Sequence, residues 1–503
     1  MRLNVGHASI RMGASSIHEV YHVTELDAGS APSAISLSGV TRVDQVAANG
    51  SQSIVLSHQS LQEKECQLAI IVPCMNEEQT ILEGVLYGIP HDCFIILVSN
   101  SNELNFQAET TMFKDFCAHA DRSGILAHQQ NSALAHAFYD AGMPDLIANK
   151  EIASKQQLKP LKLRSGKGEA MVIGTAIAKL MDKQFVGFVD ADNFVPGAVQ
   201  EYCKVFAAGL ILAHQEHHEH HSPDVPSNTK STVAEVRPNR KPHAMVRIKW
   251  MSKPKIENGK LVAKSSGRCS RVVNYWMNRL SDIVTGGTVD GNIIQTANAG
   301  EHAMSIDLAM ELNFATGYAV EPYQLIDTWE RSGPLSPLDN ASFLPLDIDD
   351  NSTAESSRRN SLDPEDEEQK TESSDITPLS TPEWFPTSVT SAFPPLSLIP
   401  LSRDTQIVQI RTRNPHLHDF GKGEEHVQRM QAQGLSAIYH SVLATEAFKV
   451  ELRGYMKKEL SAFVDADGVP EHFRTYPPIG SMNFKIFEAV LKAHPEALQF
   501  VGP

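Results

Sequence analysis

The chain has 503 residues, 41% of them hydrophobic, and carries 44 Lys and Arg against 60 Asp and Glu, a formal net charge of −16. That balance argues against nucleic-acid binding, which needs a basic surface, and no apolar run approaches the roughly 18–20 residues of a membrane span. The start, Met1-Arg2-Leu3-Asn4-Val5, lacks a secretory apolar core. Six cysteines without a CxxC pair make neither a disulfide framework nor a zinc site, so a soluble cytoplasmic protein with no membrane partner is expected.

Residues 1–65 are weakly patterned and read as a short N-terminal strand or arm followed by a loose connection. The character changes at Cys66, where Gln67 to Pro73 is a short apolar run that breaks at proline, as a buried strand does. The polar turn Asn76-Glu77-Glu78 leads into a helical pattern through Ile81, Leu82 and Val85, and Phe94 to Val98 is a second buried strand. Helical segments near 109–120 and 131–141 flank a short strand at Ile125. A helix starting near Lys167 runs through Met171, Ile173, Ala176, Ile177 and Leu180, and Phe185 to Val189 is a strand that ends at Asp190. Strands alternating with helices predict an α/β fold, a mostly parallel sheet covered on both faces. Ligands bind such sheets beyond the carboxyl ends of the strands, so Asn76, Ser99 and Asp190 should converge on one crevice.

Two stretches read as insertions, one between the halves 66–213 and 244–334 and one after the second half. Residues 214–243 hold His214, His217, His218, His220 and His221 and then turn polar; residues 335–402 are rich in Ser, Thr, Pro and acid, with eleven acidic residues against three basic between Asp347 and Asp375. Both compositions predict mobile loops, and the second is too long for an ordered connection. Order resumes with a strand over 405–411, and 403–503 is expected to carry a loop followed by C-terminal helices.

Asp190-x-Asp192 places two carboxylates at a strand end, where they can hold a hard divalent cation together with a diphosphate; the competing reading is a solvated turn. Arg164-Ser165-Gly166-Lys167-Gly168-Glu169 precedes a helix, so its glycines let the backbone approach an anion at a helix N-terminus, and Lys167 can reach a phosphate or ribose; alone, it is equally a capping loop. In Arg413-Asn414-Pro415-His416-x-His418 one imidazole could complete the metal site, although an isolated HxH is usually a surface loop. Glu301, in Gly300-Glu301-His302-Ala303, can accept hydrogen bonds from sugar hydroxyls, and the small residues before it let a substrate approach. The basic stretch Arg247, Lys249, Lys253, Lys255 and Arg268 suits an anionic acceptor or, equally, a solvated edge strand.

Val72-Pro73-x-x-Asn76-Glu77, Gly166-Lys167-Gly168-Glu169, Asp190-Ala191-Asp192-Asn193, Gly300-Glu301-His302-Ala303, Gly317-Tyr318-x-x-Glu321-Pro322 and Asn414-Pro415-His416-x-His418 occur together in this order. The chain thereby resembles the mannosyl-3-phosphoglycerate synthases over most of its length outside the two insertions. The resemblance implies a GT-A fold and retaining transfer of mannose from GDP-mannose to 3-phospho-D-glycerate, with a divalent cation, Mg2+ or Mn2+, in a homodimer. By the same resemblance Pro73, Asn76, Glu77 and Ser99 line the guanosine pocket, Lys167 with Gly168 holds the donor, and Glu301 holds the mannose. Asp190 and Asp192, with His416 or His418, bind the cation, and Arg247 and Arg268 meet the acceptor phosphate. The chain departs from the pattern at Pro73-Cys74-Met75, where a more basic residue is expected, and in its insertions. A glucosyl-3-phosphoglycerate synthase would share this fold. A sugar-1-phosphate nucleotidyltransferase would carry a glycine-rich loop straight after the first strand, which Pro73-Cys74-Met75-Asn76 is not. A regulatory protein recruiting partners through 335–402 would have no use for the intact acidic pair.

Overall fold

A computed structural model describes residues 1–6, 8–27, 40–43, 53–149, 160–219, 241–257, 260–262, 267–287, 292–332, 399–417 and 423–502. Eight strands make the body of one sheet: β1 (Leu68–Cys74), β2 (Phe94–Ser99), β3 (Gly124–His128), β4 (Phe185–Phe188), β5 (His243–Lys249), β6 (His302–Ser305), β7 (Thr405–Arg411) and β8 (Leu498–Val501). Their order is β8-β3-β2-β1-β4-β6-β5-β7. β3, β2, β1 and β4 are parallel, β6 runs antiparallel to both β4 and β5, and β5 is parallel to β7.

The continuous apolar strands follow from burial on both faces. Within β1, Ala69 and Ile71 enter one hydrophobic core while Leu68, Ile70 and Val72 enter the other, the period-2 alternation of a pleated strand. The first core is closed by α1 (Lys167–Leu180), α3 (Arg268–Thr285), α4 (Val320–Glu330) and α5 (Glu424–Tyr439), the second largely by α2 (Pro196–Glu219). Where α2 crosses the sheet, Gly209 lets the helix backbone settle onto β5 and β7: a Cβ there would sit 2.5 Å from Val246 Cγ1 and 3.2 Å from Ile410 Cδ1.

The strand–helix reading from Cys66 to Asp190 is matched element by element. Four expectations are corrected. The N-terminal arm is folded into the sheet, with Ser15–His18 and Tyr21–Glu25 both pairing in parallel with β7. The histidine-rich segment begins as helix, because α2 continues to Glu219; residues 220–240 lie outside the described residues, as do 335–398. At the far end of the second insertion, Leu401 is buried and Ser402 donates its backbone N–H to Glu311, so 399–402 belong to the folded body. The C-terminal region ends in a strand, β8, antiparallel to β3.

Gly209→Ala should cost about 1–3 kcal/mol of stability, the usual penalty of overpacking a close helix–sheet contact. Chemical denaturation monitored by circular dichroism measures it, with the slope of the transition unchanged.

Candidate active site

The carboxyl ends of β1, β2 and β4 open on one side of the sheet, and the sequence motifs gather there. Lys167, the first residue of α1, extends its ammonium between two carboxylates, 2.6 Å from Asp190 Oδ1 and 2.8 Å from Glu321 Oε1. These partners raise the Lys167 pKa in spite of burial, so it is a fixed cation. Gly300 packs against this pair: a Cβ there would lie 2.5 Å from Asp190 Oδ2 and 3.0 Å from Lys167 Nζ. Its missing side chain therefore makes room for the ion pair, where the sequence suggested room for a substrate.

Asp192 and Asn193 follow, both nearly buried. Asn193 Nδ2 lies 3.2 Å from the Tyr202 hydroxyl and 3.3 Å from His416 Nδ1, and Tyr202 Oη is 3.1 Å from that same nitrogen. The His416 ring stacks on Trp250, with centroids 4.4 Å apart. Trp250 Nε1 in turn donates to Glu301 Oε2 at 2.8 Å. The other oxygen, Glu301 Oε1, is 3.7 Å from His416 Nδ1 and has no hydrogen-bond partner. Burial, then the nearby Asp190, pushes the Glu301 carboxyl up to about 8 against the opposing pull of Lys167 and Lys253.

The loop carrying His416 is held in place by contacts on both sides. Glu201 of α2, itself buried, accepts hydrogen bonds from the backbone N–H groups of Arg413 at 2.6 Å and Asn414 at 2.8 Å, and from Asn414 Nδ2 at 2.8 Å. Phe194 N–H donates to Leu417 O at 2.8 Å and ties the same loop to the Asp-x-Asp turn. His418 lies outside the described residues.

On the nucleotide side, Asn76 has a left-handed φ of 56°. Its Oδ1 accepts from Asn102 N, Asn102 Nδ2 and Asn105 Nδ2 at 2.8–3.0 Å, pinning the β1 turn to the loop after β2. Pro73 and Glu77 border the same turn and are half-buried. Ser99 is not exposed there. Its side chain is fully enclosed and donates to Glu109 Oε2 at 2.6 Å, so its place as a guanosine contact is corrected to a strut under the crevice. Gly168 is corrected likewise: a Cβ on it would lie 1.9 Å from Ala315 O, so its bareness serves packing of α1.

Beside Trp250 a cavity of about 360 Å³ is lined by Lys249, Gly267, Arg271, Asn274 and Arg411 among others. Gly267 is the N-cap of α3, so the positive end of an 18-residue helix faces it. Arg247, expected at the acceptor phosphate, is instead fully buried. Its guanidinium donates to the carbonyls of Thr296, Ala297 and Glu321 and holds up the floor of the site. Arg268 stands half-exposed in an ion pair with Glu424. Tyr202, Glu201 and Trp250 carried no signal in the sequence beyond their adjacency to motif strands and helices; Glu321 lay in a recognised motif without a role.

The donor set fits a hard divalent cation. Asp190, Asp192, Glu301 and Glu321 crowd two ammonium groups, Lys167 and Lys253, and Glu301 leaves a buried oxygen unpartnered. Among the described residues no three His, Cys, Asp or Glu side chains already form a metal cage, so a diphosphate would contribute ligands.

Fold and site together define a nucleotide-sugar transferase of GT-A architecture: a mostly parallel sheet in which β6 and β8 are reversed, and an acidic pair at the end of its fourth parallel strand. The family model of mannosyl-3-phosphoglycerate synthase matches residues 5–491, and the chain belongs to that family. It is 30% identical over 440 residues to the mannosyl-3-phosphoglycerate synthase of Pyrococcus furiosus, covering 87% of each chain. To that of Aeropyrum pernix it is 24% identical over 444 residues, covering 88% of each. A crystal structure of glucosyl-3-phosphoglycerate synthase from Mycobacterium tuberculosis with Mn2+, UDP-glucose and phosphoglyceric acid superposes with a TM-score of 0.38 at 13% identity, over 83% of this chain and 94% of that one.

The raised Glu301 pKa sets a pH dependence. The unfolded chain ionises this carboxyl near 4.5 and the folded protein only near 8, so folding favours the protonated form and stability falls as pH rises between those values. In cation-free buffer, the melting temperature should drop from pH 5 to pH 8, and Glu301→Gln should flatten that slope.

Proposed function

We propose that the chain transfers mannose from GDP-mannose to 3-phospho-D-glycerate with retention of configuration, in the cytoplasm and with a divalent cation. The observation that carries this reading is the meeting of Lys167, Asp190, Asp192, Glu301 and His416 at one strand end, beside a basic cavity, in a member of this family. The guanosine lies over the Asn76 turn, bordered by Pro73 and Glu77. Asp190 and Asp192, with His416 or His418, would hold the cation, Mg2+ or Mn2+, and it would supply charge neutralisation for the diphosphate.

The remaining chemistry belongs to the protein. Lys167 is already oriented by Asp190 and Glu321 and adds a fixed positive charge where the phosphate charge develops. Glu301, aimed by Trp250, accepts or donates a hydrogen bond to a mannose hydroxyl. Lys249, Arg271 and Arg411, with the N-terminus of α3, receive the acceptor phosphate, a duty the enclosed Arg247 cannot perform; Arg268 is engaged in its ion pair with Glu424. The bond from the anomeric carbon to the phosphate oxygen breaks as the bond to the acceptor oxygen forms on the same face. The acceptor proton passes to the leaving phosphate oxygen, so no separate base is required. A homodimer is the expected assembly.

Purified protein mixed with GDP-mannose, 3-phosphoglycerate and Mg2+ should yield a phosphorylated mannosyl product detectable by mass spectrometry. Folded protein that makes none overturns the reading. Asp192→Ala should lower turnover by about a hundred- to a thousandfold while its melting curve stays close to that of the parent; near-normal turnover would remove Asp192 from the cation site.

A further inference from the structure

The mechanism above leaves one charged side chain of the site without a duty. Lys253 follows β5 by four residues and turns back toward the reaction centre. Its Nζ sits 4.3 Å over the Trp250 ring, a cation–π contact. Its aliphatic stem lies along Gly267: a Cβ on that glycine would be 3.2 Å from Lys253 Cδ and 3.8 Å from its Nζ. Trp250 and Gly267 both line the basic cavity. The negative charges that act on the ammonium from the strand end are those of Glu301, Asp192 and Asp190. Lys253 is thus at the wall between the acceptor cavity and the carboxylates of the donor site.

The shape of the acceptor turns this position into a role. 3-Phosphoglycerate has an anion at each end, and the hydroxyl that attacks is next to the carboxylate, not the phosphate. With the phosphate drawn toward Lys249, Arg271 and Arg411, the hydroxyl must face the donor sugar, so the carboxylate arrives at the wall between the two compartments. An unpartnered carboxylate entering beside Glu301, Asp192 and Asp190 would be repelled. A cation is needed there, and Trp250 holds one in place.

We infer that Lys253 is a catalytic residue of the transfer, binding the acceptor carboxylate and so aligning the neighbouring hydroxyl with the anomeric carbon. The inference rests on the acceptor assigned above. It makes the enzyme selective for phosphorylated hydroxy acids over phosphorylated alcohols of the same length.

The test compares 3-phosphoglycerate with glycerol 3-phosphate, which keeps the phosphate and a hydroxyl but lacks the carboxylate. In calorimetric titrations, Lys253→Met should weaken binding of 3-phosphoglycerate by about 10- to 100-fold, the loss of one charge-assisted bond, and change that of glycerol 3-phosphate by less than about threefold. GDP-mannose binding and the melting temperature should hold, turnover with 3-phosphoglycerate should fall in parallel, and Lys253→Arg should recover part of it. An equal loss for both acceptors, or a loss confined to GDP-mannose, overturns the inference by assigning Lys253 to the phosphate, the frame or the donor. If the unaltered protein binds 3-phosphoglycerate in a Lys253-dependent way but makes no mannosyl product, the transfer reading fails and the carboxylate contact stands.

Discussion

The ammonium of Lys167 between Asp190 and Glu321 is the contact on which the site is built. Three segments far apart in the chain, the start of α1, the turn after β4 and the start of α4, are joined through one buried cation. Charges this enclosed persist only when paired. The pairing therefore dictates much around it: a residue without a side chain at position 300, and a buried Arg247 beneath that holds the Glu321 carbonyl by a hydrogen bond. Burial, and after it the same concentration of carboxylates, leaves Glu301 reluctant to ionise, and the carboxylates make the centre receptive to an added cation.

A second constraint brings His416 to this centre. The Asn-Pro-His segment follows β7, three strands away from β4 in the sheet. Glu201 spends its carboxylate on the backbone and amide of residues 413 and 414, and Phe194 bonds to Leu417, so α2 and the Asp-x-Asp turn jointly fix the loop. Tyr202 and Asn193 then orient the ring through Nδ1, and Trp250 stacks on its face. Trp250 also aims Glu301 and carries Lys253. One indole thus couples the His416 imidazole, the Glu301 carboxylate and the Lys253 ammonium.

The two sides of the site follow different physics. The strand-end side is acidic, with the Lys167 ammonium already paired; the cavity side is basic, with the N-terminus of α3 beside it. The overall charge of −16 conveys nothing of this arrangement, because local fields depend on which side chains are enclosed together.

Much was legible without coordinates. Continuous apolar runs ending at Asn76, Ser99 and Asp190 specify parallel strands buried on both faces, because only such strands are apolar at every position. The carboxyl ends of those strands locate the crevice, and the acidic pair at the fourth identifies its chemistry. What remained open was which way each strand-end residue points. Ser99 turns inward to Glu109, Gly168 meets a carbonyl, and Arg247 disappears beneath the floor, because a residue's face is decided by the layer packed against it. Glu201, Tyr202 and Trp250 could not be read at all, since their roles are contacts with residues dozens to hundreds of positions away. Local pattern determined the sheet, its helices and the identity of the acidic pair; only the tertiary structure decided which charges share an enclosure, and that sharing turns the strand end into a site.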